Sequence, residues 1–292
     1  MRTLGALCAG ILCAGASGVH ADLTLAAGGK SDYVIVTPAT ATPSQTYAAE
    51  ELQRFTAQMT GATLPIQADS LPLPAKAILL GSTRYTDQVV GAATDRTRLG
   101  DDGFRLKTGG GHLAIVGSGV RGTLYGVYEL LERYGGCRWY ASWHSVIPKH
   151  DTWSLPELDD TQTPAFVMRE PFWFDMFTGD LAARCRANGN RMDLDEKHGG
   201  RIRFGGNLFV HTFYVLMPPG EFFGAHPEYY SELQGKRVAE HAQLCLTNPE
   251  VVRICTERLL ERIRKDPEAR LYSLSQNDWA GYCTCANCRA ID

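Results

Sequence analysis

The sequence predicts an α/β protein: a small α+β sandwich followed by the first half of a (β/α)8 TIM-like barrel. Three observations support this fold class. Apolar and β-branched runs alternate with helical patterns up to about residue 140, a proline-bearing segment follows, and the alternation resumes from residue 165. We therefore expect a first domain over 22–140, a linker over 141–164 and a barrel domain over 165–292.

The composition is typical of a globular protein and excludes two functional classes. The 292 residues contain 29 Lys and Arg against 32 Asp and Glu, which gives a formal net charge of -3. A nucleic-acid-binding protein needs a dense Lys/Arg face, so we expect no nucleic-acid partner. Beyond the N-terminus no apolar run reaches the ~20 residues of a membrane helix, so we expect no membrane partner after cleavage of the leader.

Residues 1–21 have the pattern of a secretory signal peptide. Arg2 supplies the positive charge, residues 4–16 are small and apolar, and Ala21 closes a stretch suited to signal peptidase. A buried N-terminal helix is the alternative, but the stretch is short and rich in glycine, which disfavours a helix. We expect cleavage near Ala21 and a secreted or periplasmic protein.

The first domain is predicted from its periodicity. An apolar stripe predicts a helix over 44–60, stopped by Gly61, and a second helix is predicted over 121–134. Strands are predicted over 33–36, 77–80, 104–107 and 113–116. The order β-α-β-β-β-α predicts a sheet with helices on one side.

Two long strings in this domain are specific enough to suggest a family. They are TYAAEELQRFTAQMTGATLPI over 46–66 and GFRLKTGGGHLAIVGSGVRGTLYGVYELLERYGGCRWY over 103–140. They resemble the N-terminal accessory domain that precedes the barrel in α-glucuronidases and β-N-acetylhexosaminidases. The resemblance implies that a catalytic (β/α)8 barrel follows this domain.

The remainder of the chain predicts a linker and four β/α units. Prolines scattered through 141–164 predict a connection without regular structure. Strands are predicted over 166–169, 207–213, 243–246 and 271–275. Helical segments separate them, and the clearest begins at the capping residue Asn248, followed by Pro249. Such alternation implies a parallel sheet, and because a closed barrel needs eight units, we expect a truncated barrel completed by further chain or by a partner.

Three strings in the second domain suggest a family as well. They are HTFYVLMPPGEFFGAHPEYYSELQGKR over 211–237, QLCLTNPEV over 243–251 and YSLSQNDWAGYCTCANC over 272–288. They resemble large bacterial proteins in which the accessory domain precedes a conserved domain of unknown function, DUF4838, related to glycoside hydrolases. The resemblance implies carbohydrate processing in general and no defined reaction.

In parallel α/β barrels the reacting groups lie at the carboxyl ends of the strands. This rule selects Arg169, Trp173, Asn207, His211, Gln243, Asn277, Asp278 and Trp279. Asp278 is the best-placed carboxylate to protonate the leaving oxygen in glycoside hydrolysis, a position at which related barrels often carry a catalytic acid. The alternative is an aspartate that caps a turn or helix. Hexosaminidases have an Asp-Glu pair here, whereas Trp279 follows Asp278, which argues against an acetamido-assisted mechanism.

The other seven residues are candidate substrate-binding groups. His211 suits sugar hydroxyls or a uronic acid carboxylate, and Arg169 suits a clamp for an anionic sugar. Trp173 and Trp279 suit stacking on sugar faces. His211, Arg169 and the two tryptophans have structural alternatives: a histidine satisfied by a backbone carbonyl, an arginine paired with Glu170, or aromatic side chains that pack in the core.

Three cysteines near the end of the chain form a dense motif. Cys283, Cys285 and Cys288 could hold a structural zinc ion with a fourth ligand from elsewhere in the sequence. A disulfide with one thiol left over is the alternative in an oxidising compartment. We expect a structural role in either case, and no cofactor that catalysis requires.

These residues and resemblances together predict a glycoside hydrolase-like protein of polysaccharide catabolism. It would hydrolyse O-glycosyl bonds of an oligo- or polysaccharide, with α-glucuronidase-like activity as one form of that reaction. A non-catalytic carbohydrate-binding protein on the same scaffold is the alternative. A metal-binding extracytoplasmic module built around the cysteines is a third, weaker reading.

Overall fold

The computed structural model describes residues 22–92 and 96–291, which divide into two compact units. The first unit comprises the described residues up to 140 together with 144–164, and the second comprises 141–143 and 165–291. The signal peptide predicted over 1–21 lies outside the described residues. Within the described part of the chain, every helix is too short or too polar to cross a bilayer.

The described residues up to 164 contribute ten strands and three α-helices. The strands are β1 (Leu23–Ala27), β2 (Val34–Thr37), β3 (Ile66–Ala68), β4 (Ala77–Leu80), β5 (Phe104–Gly109), β6 (His112–Gly117), β7 (Arg138–Ala141), β8 (His144–Val146), β9 (Thr152–Leu155) and β10 (Asp159–Gln162). The helices are α1 (Pro43–Thr60), α2 (Thr86–Val90) and α3 (Gly122–Glu129), which continues as a π-helical turn over Leu130–Tyr134. A 3₁₀ turn spans Thr97–Leu99.

Helix α1 illustrates how local sequence determines an element of this unit. The Thr42 side chain accepts a hydrogen bond from the Gln45 backbone, and the Gln45 side chain accepts one from the Thr42 backbone, which completes a capping box. Pro43 occupies the first turn, where a missing N–H has no cost. Gly61 ends the helix at φ 81°, in the left-handed region. The helix predicted over 44–60 is therefore confirmed to within one residue.

Six strands form one mixed sheet in the order β10-β5-β6-β4-β2-β3. Strands β3, β2, β4 and β6 are parallel, and β5 and β10 are antiparallel to their neighbours. Every residue of β4 is buried, so both faces of this strand are covered.

Helices cover the sheet on both faces. Val89 and Val90 of α2 pack against Leu79 and its neighbours on one face. On the other face α3 approaches so closely that a Cβ at Gly126 would lie 2.6 Å from the Cγ2 of Ile115. The prediction of helices on one side only is therefore wrong, because α2 was too short to recognise from periodicity.

The segment predicted as an irregular linker, 141–164, contains strands. Strand β9 pairs antiparallel with β1, and β10 pairs antiparallel with β5 at the edge of the large sheet. Asp159 of β10 forms ion pairs with Arg105 and Lys107 of β5. The prediction of a linker without regular structure is wrong, because the prolines lie between these strands rather than within them.

The second unit is mostly loops with one long helix. Its helices are α4 (Gly179–Arg184), α5 (Phe213–Leu216), α6 (Pro219–Phe222), α7 (Pro249–Lys265) and α8 (Ala286–Arg289), with 3₁₀ turns over Phe174–Phe177, Glu196–His198, Gly205–Asn207 and Pro227–Tyr229. A two-stranded ribbon joins β11 (Glu232–Leu233) and β12 (Lys236–Arg237). The predicted start of α7 is confirmed, since the Asn248 side chain accepts a hydrogen bond from the Glu250 backbone at 3.0 Å.

The partial barrel is not confirmed as a regular sheet. None of the four strands predicted over 166–169, 207–213, 243–246 and 271–275 is a continuous strand in the described residues. Isolated bridges replace them, of which Phe204–Leu271 and Ala242–Gly281 are parallel. Asn207 and His211 adopt φ values of 59° and 56°, a left-handed conformation that interrupts strand pairing.

Candidate functional site

Two segments of the second unit, 204–213 and 271–275, run side by side in the same direction. Backbone amides and carbonyls pair successively, Gly205 with Leu271, Leu208 with Ser273 and Thr212 with Ser275, at 2.8, 3.2 and 3.0 Å. The spacing of these bonds is uneven, which explains why the pairing is not a regular ladder. It nonetheless places the residues that follow 204–213 beside those that follow 271–275.

Gln243 and Asn277 form the buried centre of this region. The Gln243 Nε2 donates to the carbonyl oxygens of Asn277 at 2.9 Å and Trp279 at 2.5 Å, while its Oε1 accepts from the Asn277 backbone at 2.9 Å. The Asn277 Nδ2 donates to the Ala242 carbonyl at 3.1 Å, and its Oδ1 accepts from the Tyr214 backbone at 3.3 Å. Only 3% of Gln243 and 4% of Asn277 are exposed.

The sequence predicts that Gln243 and Asn277 bind substrate, which stays a prediction, and the structure shows that both side chains also hold the protein backbone. Their amide groups are buried and already hydrogen-bonded to the protein. Because such groups are costly to unpair, they fix the backbone of the loop over 276–282, which we call the Asp278 loop. They are positioning residues.

The Asp278 loop presents its two candidate functional side chains to solvent. Asp278 is exposed, and its carboxylate makes no hydrogen bond or ion pair with another described residue. The predicted alternative of a capping aspartate therefore has no partner in the described chain. Trp279 is 47% exposed, and its ring lies 4.4 Å from the ring of His241, centroid to centroid.

A cavity of about 670 Å³ adjoins Trp279. Its lining is mostly apolar: Tyr214, Phe223 and Trp279 supply aromatic faces, and Arg237, Glu240 and His241 supply the polar groups. A flat aromatic face beside hydrogen-bonding and charged groups is the combination that sugars require. A smaller cavity of about 290 Å³ includes Gln276 and Tyr282 in its lining.

His211 and Asn207 lie where the first of the two segments turns. The Nδ1 of His211 lies 3.2 Å from the carbonyl oxygen of Gln276, so this side chain contacts the start of the Asp278 loop. His211 is exposed rather than buried. Asn207 is exposed and closes a 3₁₀ turn.

Arg169 and Trp173 belong to the opening segment of the unit. The Nε of Arg169 donates to the Arg186 carbonyl at 2.8 Å, and its Nη1 donates to the Phe166 carbonyl at 2.9 Å. Arg169 thus ties two stretches of backbone together rather than pairing with Glu170, whose carboxylate accepts from backbone N–H groups. Trp173 is 49% exposed.

The cysteine motif acquires a fourth member in the structure. The sulfur atoms of Cys245, Cys283, Cys285 and Cys288 all lie within 4.8 Å of one another, and we call them the thiol cluster. Cys245 Sγ is 3.8 Å from Cys285 Sγ and 3.8 Å from Cys288 Sγ. Three of the four residues are buried, and Cys288 is half-buried.

Protonation differs sharply within the thiol cluster. A hydrogen bond from the Cys288 backbone lowers the pKa of the Cys285 thiol to about 6. Burial raises the pKa of Cys283 to about 12.

Sequence reasoning missed Cys245, Glu240 and His241. Cys245 is the last-but-one residue of the strand predicted over 243–246. The next predicted strand, over 271–275, precedes the cysteine motif. Pairing the carboxyl ends of those two strands would have pointed to it. Glu240 and His241 gave no signal, because they lie in a loop ahead of Gln243 and enter the cavity only through the turn at His241, where φ is 49°.

Solved structures of several glycoside hydrolases resemble the chain. One is a GH115 4-O-methyl-α-glucuronidase with specificity for decorated arabinogalactans: TM-score 0.48, 16% identity, 89% of this chain and 37% of that chain. Another is the Streptomyces plicatus N-acetyl-β-hexosaminidase: TM-score 0.37, 15% identity, 82% of this chain and 41% of that one. The GH20 β-N-acetylhexosaminidase from Streptomyces coelicolor A3(2) gives a TM-score of 0.39 at 16% identity, with 82% and 42% covered.

The chain spans about two-fifths of the length of these solved structures. Comparison with curated proteins gave no match. Two family models match the sequence. The model of the glycosyl hydrolase family 67 N-terminus matches residues 28–130, and the model described as domain of unknown function (DUF4838) matches residues 139–292. Since the second match covers more than half of the sequence, the chain belongs to the DUF4838 family.

Proposed function

We propose that this protein is a glycoside hydrolase-like protein of polysaccharide catabolism that hydrolyses O-glycosyl bonds. The observation that carries the proposal is the Asp278 loop. Its backbone is fixed by Gln243, its carboxylate is exposed, and its tryptophan borders a cavity of about 670 Å³. The match of residues 28–130 to the family 67 N-terminus supports the same conclusion.

In this proposal Asp278 is the catalytic acid. Glycoside hydrolysis needs a carboxylic acid that protonates the leaving oxygen while charge develops at the anomeric carbon. Trp279 stacks on a sugar face next to the scissile bond. His241 in the cavity lining can donate a hydrogen bond to a uronic acid carboxylate, which favours an α-glucuronidase-like specificity.

The partial (β/α)8 barrel belongs to this proposal as its scaffold. The parallel contact between 204–213 and 271–275 supports it, since barrel strands also run parallel and gather functional groups at one end. We also propose that the protein is secreted or periplasmic. The signal-like composition of residues 1–21 supports that location, where polysaccharides are available.

Replacing Asp278 with asparagine tests the proposed reaction. The full protein should hydrolyse at least one substrate in a panel of aryl glycosides and glucuronoxylan oligosaccharides. Asp278→Asn should lower kcat by roughly 10²–10⁴-fold, because the amide cannot donate the proton, and circular dichroism should show the fold unchanged.

Glu268→Gln is the matched control, because Glu268 is an exposed carboxylate outside the Asp278 loop. It should leave kcat unchanged. Equal kcat for the wild type and Asp278→Asn would refute the assignment of the acid. Oligosaccharide binding without turnover of any substrate would instead favour the non-catalytic binding protein.

A further inference from the structure

The thiol cluster has the dimensions of a tetrahedral metal site. Zinc–thiolate bonds of about 2.3 Å place the four sulfur atoms of a tetrahedron about 3.8 Å apart. Cys245 Sγ lies 3.8 Å from both Cys285 Sγ and Cys288 Sγ, and all four sulfur atoms lie within 4.8 Å of one another. We infer that these four cysteines bind one Zn²⁺ ion, with Cys245 as the ligand that lies outside the terminal motif.

The groups around the thiol cluster suit thiolates. The backbone N–H of Glu232 donates to Cys283 Sγ at 3.3 Å, and Thr247 Oγ1 lies 3.2 Å from Cys288 Sγ. The Nη1 of Arg237 lies 3.7 Å from Cys283 Sγ. Four thiolates with Zn²⁺ carry a net charge of about −2, and these donors and the guanidinium offset it.

A disulfide accounts less well for the same arrangement. All four residues are free thiols in the structure, and they surround a common centre rather than forming pairs. A single disulfide would leave two thiols of the cluster unused, whereas one metal ion uses all four. Four sulfur ligands in a closed, mostly buried site are typical of structural rather than catalytic zinc.

The position of the site in the chain indicates what the metal stabilises. Cys245 lies two residues after Gln243, and Cys283 lies one residue after the end of the Asp278 loop. Hydrogen bonds from Gln243 hold the middle of that loop, and the zinc ion fastens the chain at its far end. The zinc ion therefore fixes the Asp278 loop whether or not that loop is catalytic.

Elemental analysis of the full protein tests the zinc site. Protein purified under reducing conditions with zinc and iron both supplied during expression should contain one zinc per chain. Cys245→Ser should lower zinc content below about one-tenth per chain, because a site with three thiolates holds the ion far less tightly. Cys185→Ser is the control, since Cys185 is an exposed cysteine outside the cluster, and it should retain the zinc.

A second measurement on the wild-type protein guards against a variant that fails to fold. Cobalt exchanged into the site should give the thiolate-to-cobalt charge-transfer band and the visible bands of tetrahedral Co²⁺. Any of three results would overturn the inference. The wild-type protein could take up no stoichiometric zinc, it could hold stoichiometric iron instead, or a peptide map could show Cys245 in a disulfide with another cysteine of the thiol cluster.

Discussion

Replacing Asp102 with asparagine should lower the free energy of unfolding of the first unit by about 3 kcal/mol. The Asp102 carboxylate lies 2.5 Å from the Nε of Arg121, and the two residues are only 7% and 4% exposed. Asparagine keeps the shape of the side chain but removes the carboxylate charge closest to the buried guanidinium. Such losses cost about 3–5 kcal/mol, and we expect the lower end because Asp101 Oδ2 lies 3.9 Å from Arg121 Nη2.

The matched control is Asp159→Asn, which removes an aspartate from an exposed ion pair in the same unit. Asp159 is half exposed, so its pairs with Arg105 and Lys107 should contribute less than about 1 kcal/mol. Hydrogen bonding to Lys107 lowers the pKa of Asp159 below its usual value of 3.8. The contribution of Asp159 to the free energy of unfolding is therefore fully present above pH 3.8. It is lost as the pH falls through the lower pKa of the folded state.

Urea unfolding at pH 7 measures both variants, with hydrogen exchange in β4 and β6 to identify the unit that unfolds. If Asp102→Asn and Asp159→Asn lowered the free energy of unfolding equally, burial would not determine how much each ion pair stabilises the unit. Arg121 lies within the string over 103–140 that suggested the accessory domain. Its neighbour Gly122 lies so close to the Gly103 carbonyl that a Cβ would clash at 2.3 Å.

Replacing Gln243 with methionine should release the Asp278 loop. Methionine preserves the volume of the side chain, so the loss is confined to hydrogen bonds. The buried carbonyl of Asn277 and the partly buried carbonyl of Trp279 lose their donor, and the Asn277 N–H loses its acceptor. Because each unpaired buried group costs about 1–3 kcal/mol, we expect a local loss of about 3 kcal/mol or more.

Hydrogen–deuterium exchange read by mass spectrometry distinguishes this local effect from general destabilisation. Amides of residues 276–289 should exchange faster by at least about 100-fold in Gln243→Met, while those of α7 should be little changed. The control is Gln276→Ala, which truncates an exposed glutamine of the same loop, and its effect on stability should be under about 0.5 kcal/mol. If the amides of residues 276–289 exchanged at the same rate in the wild type and in Gln243→Met, the positioning role of Gln243 would be contradicted.

The first unit was largely predictable because its signals are local. A cap, a proline, an apolar stripe and a terminal glycine define α1, and β4 was predicted with its observed limits. Strands β1 and β9 were missed, although they pair with each other, because they are short and lie about 130 residues apart. No local pattern records such a pairing.

The second unit was predicted less well, for a physical reason. Apolar runs indicated four strands, but apolar side chains also line loops that pack on a core, as Leu208 and Leu244 do. Left-handed residues such as His211 then break the pairing that a strand requires. The residue types at the candidate site are nevertheless recognisable from the sequence. Gln243 and Asn277 are chosen there as candidate substrate-binding residues, and in the structure their side chains position the Asp278 loop.

The most direct test of the central claim, that the Asp278 loop is a carbohydrate site, is a crystal structure of Asp278→Asn with a bound oligosaccharide. The glucuronoxylan oligosaccharide that most raises Tm in a thermal-shift screen should be used. We predict a sugar ring stacked on Trp279, with residue 278 within hydrogen-bonding distance of a glycosidic oxygen. Sugar density confined to the first unit, or to a face of the second unit away from Trp279, would contradict the claim.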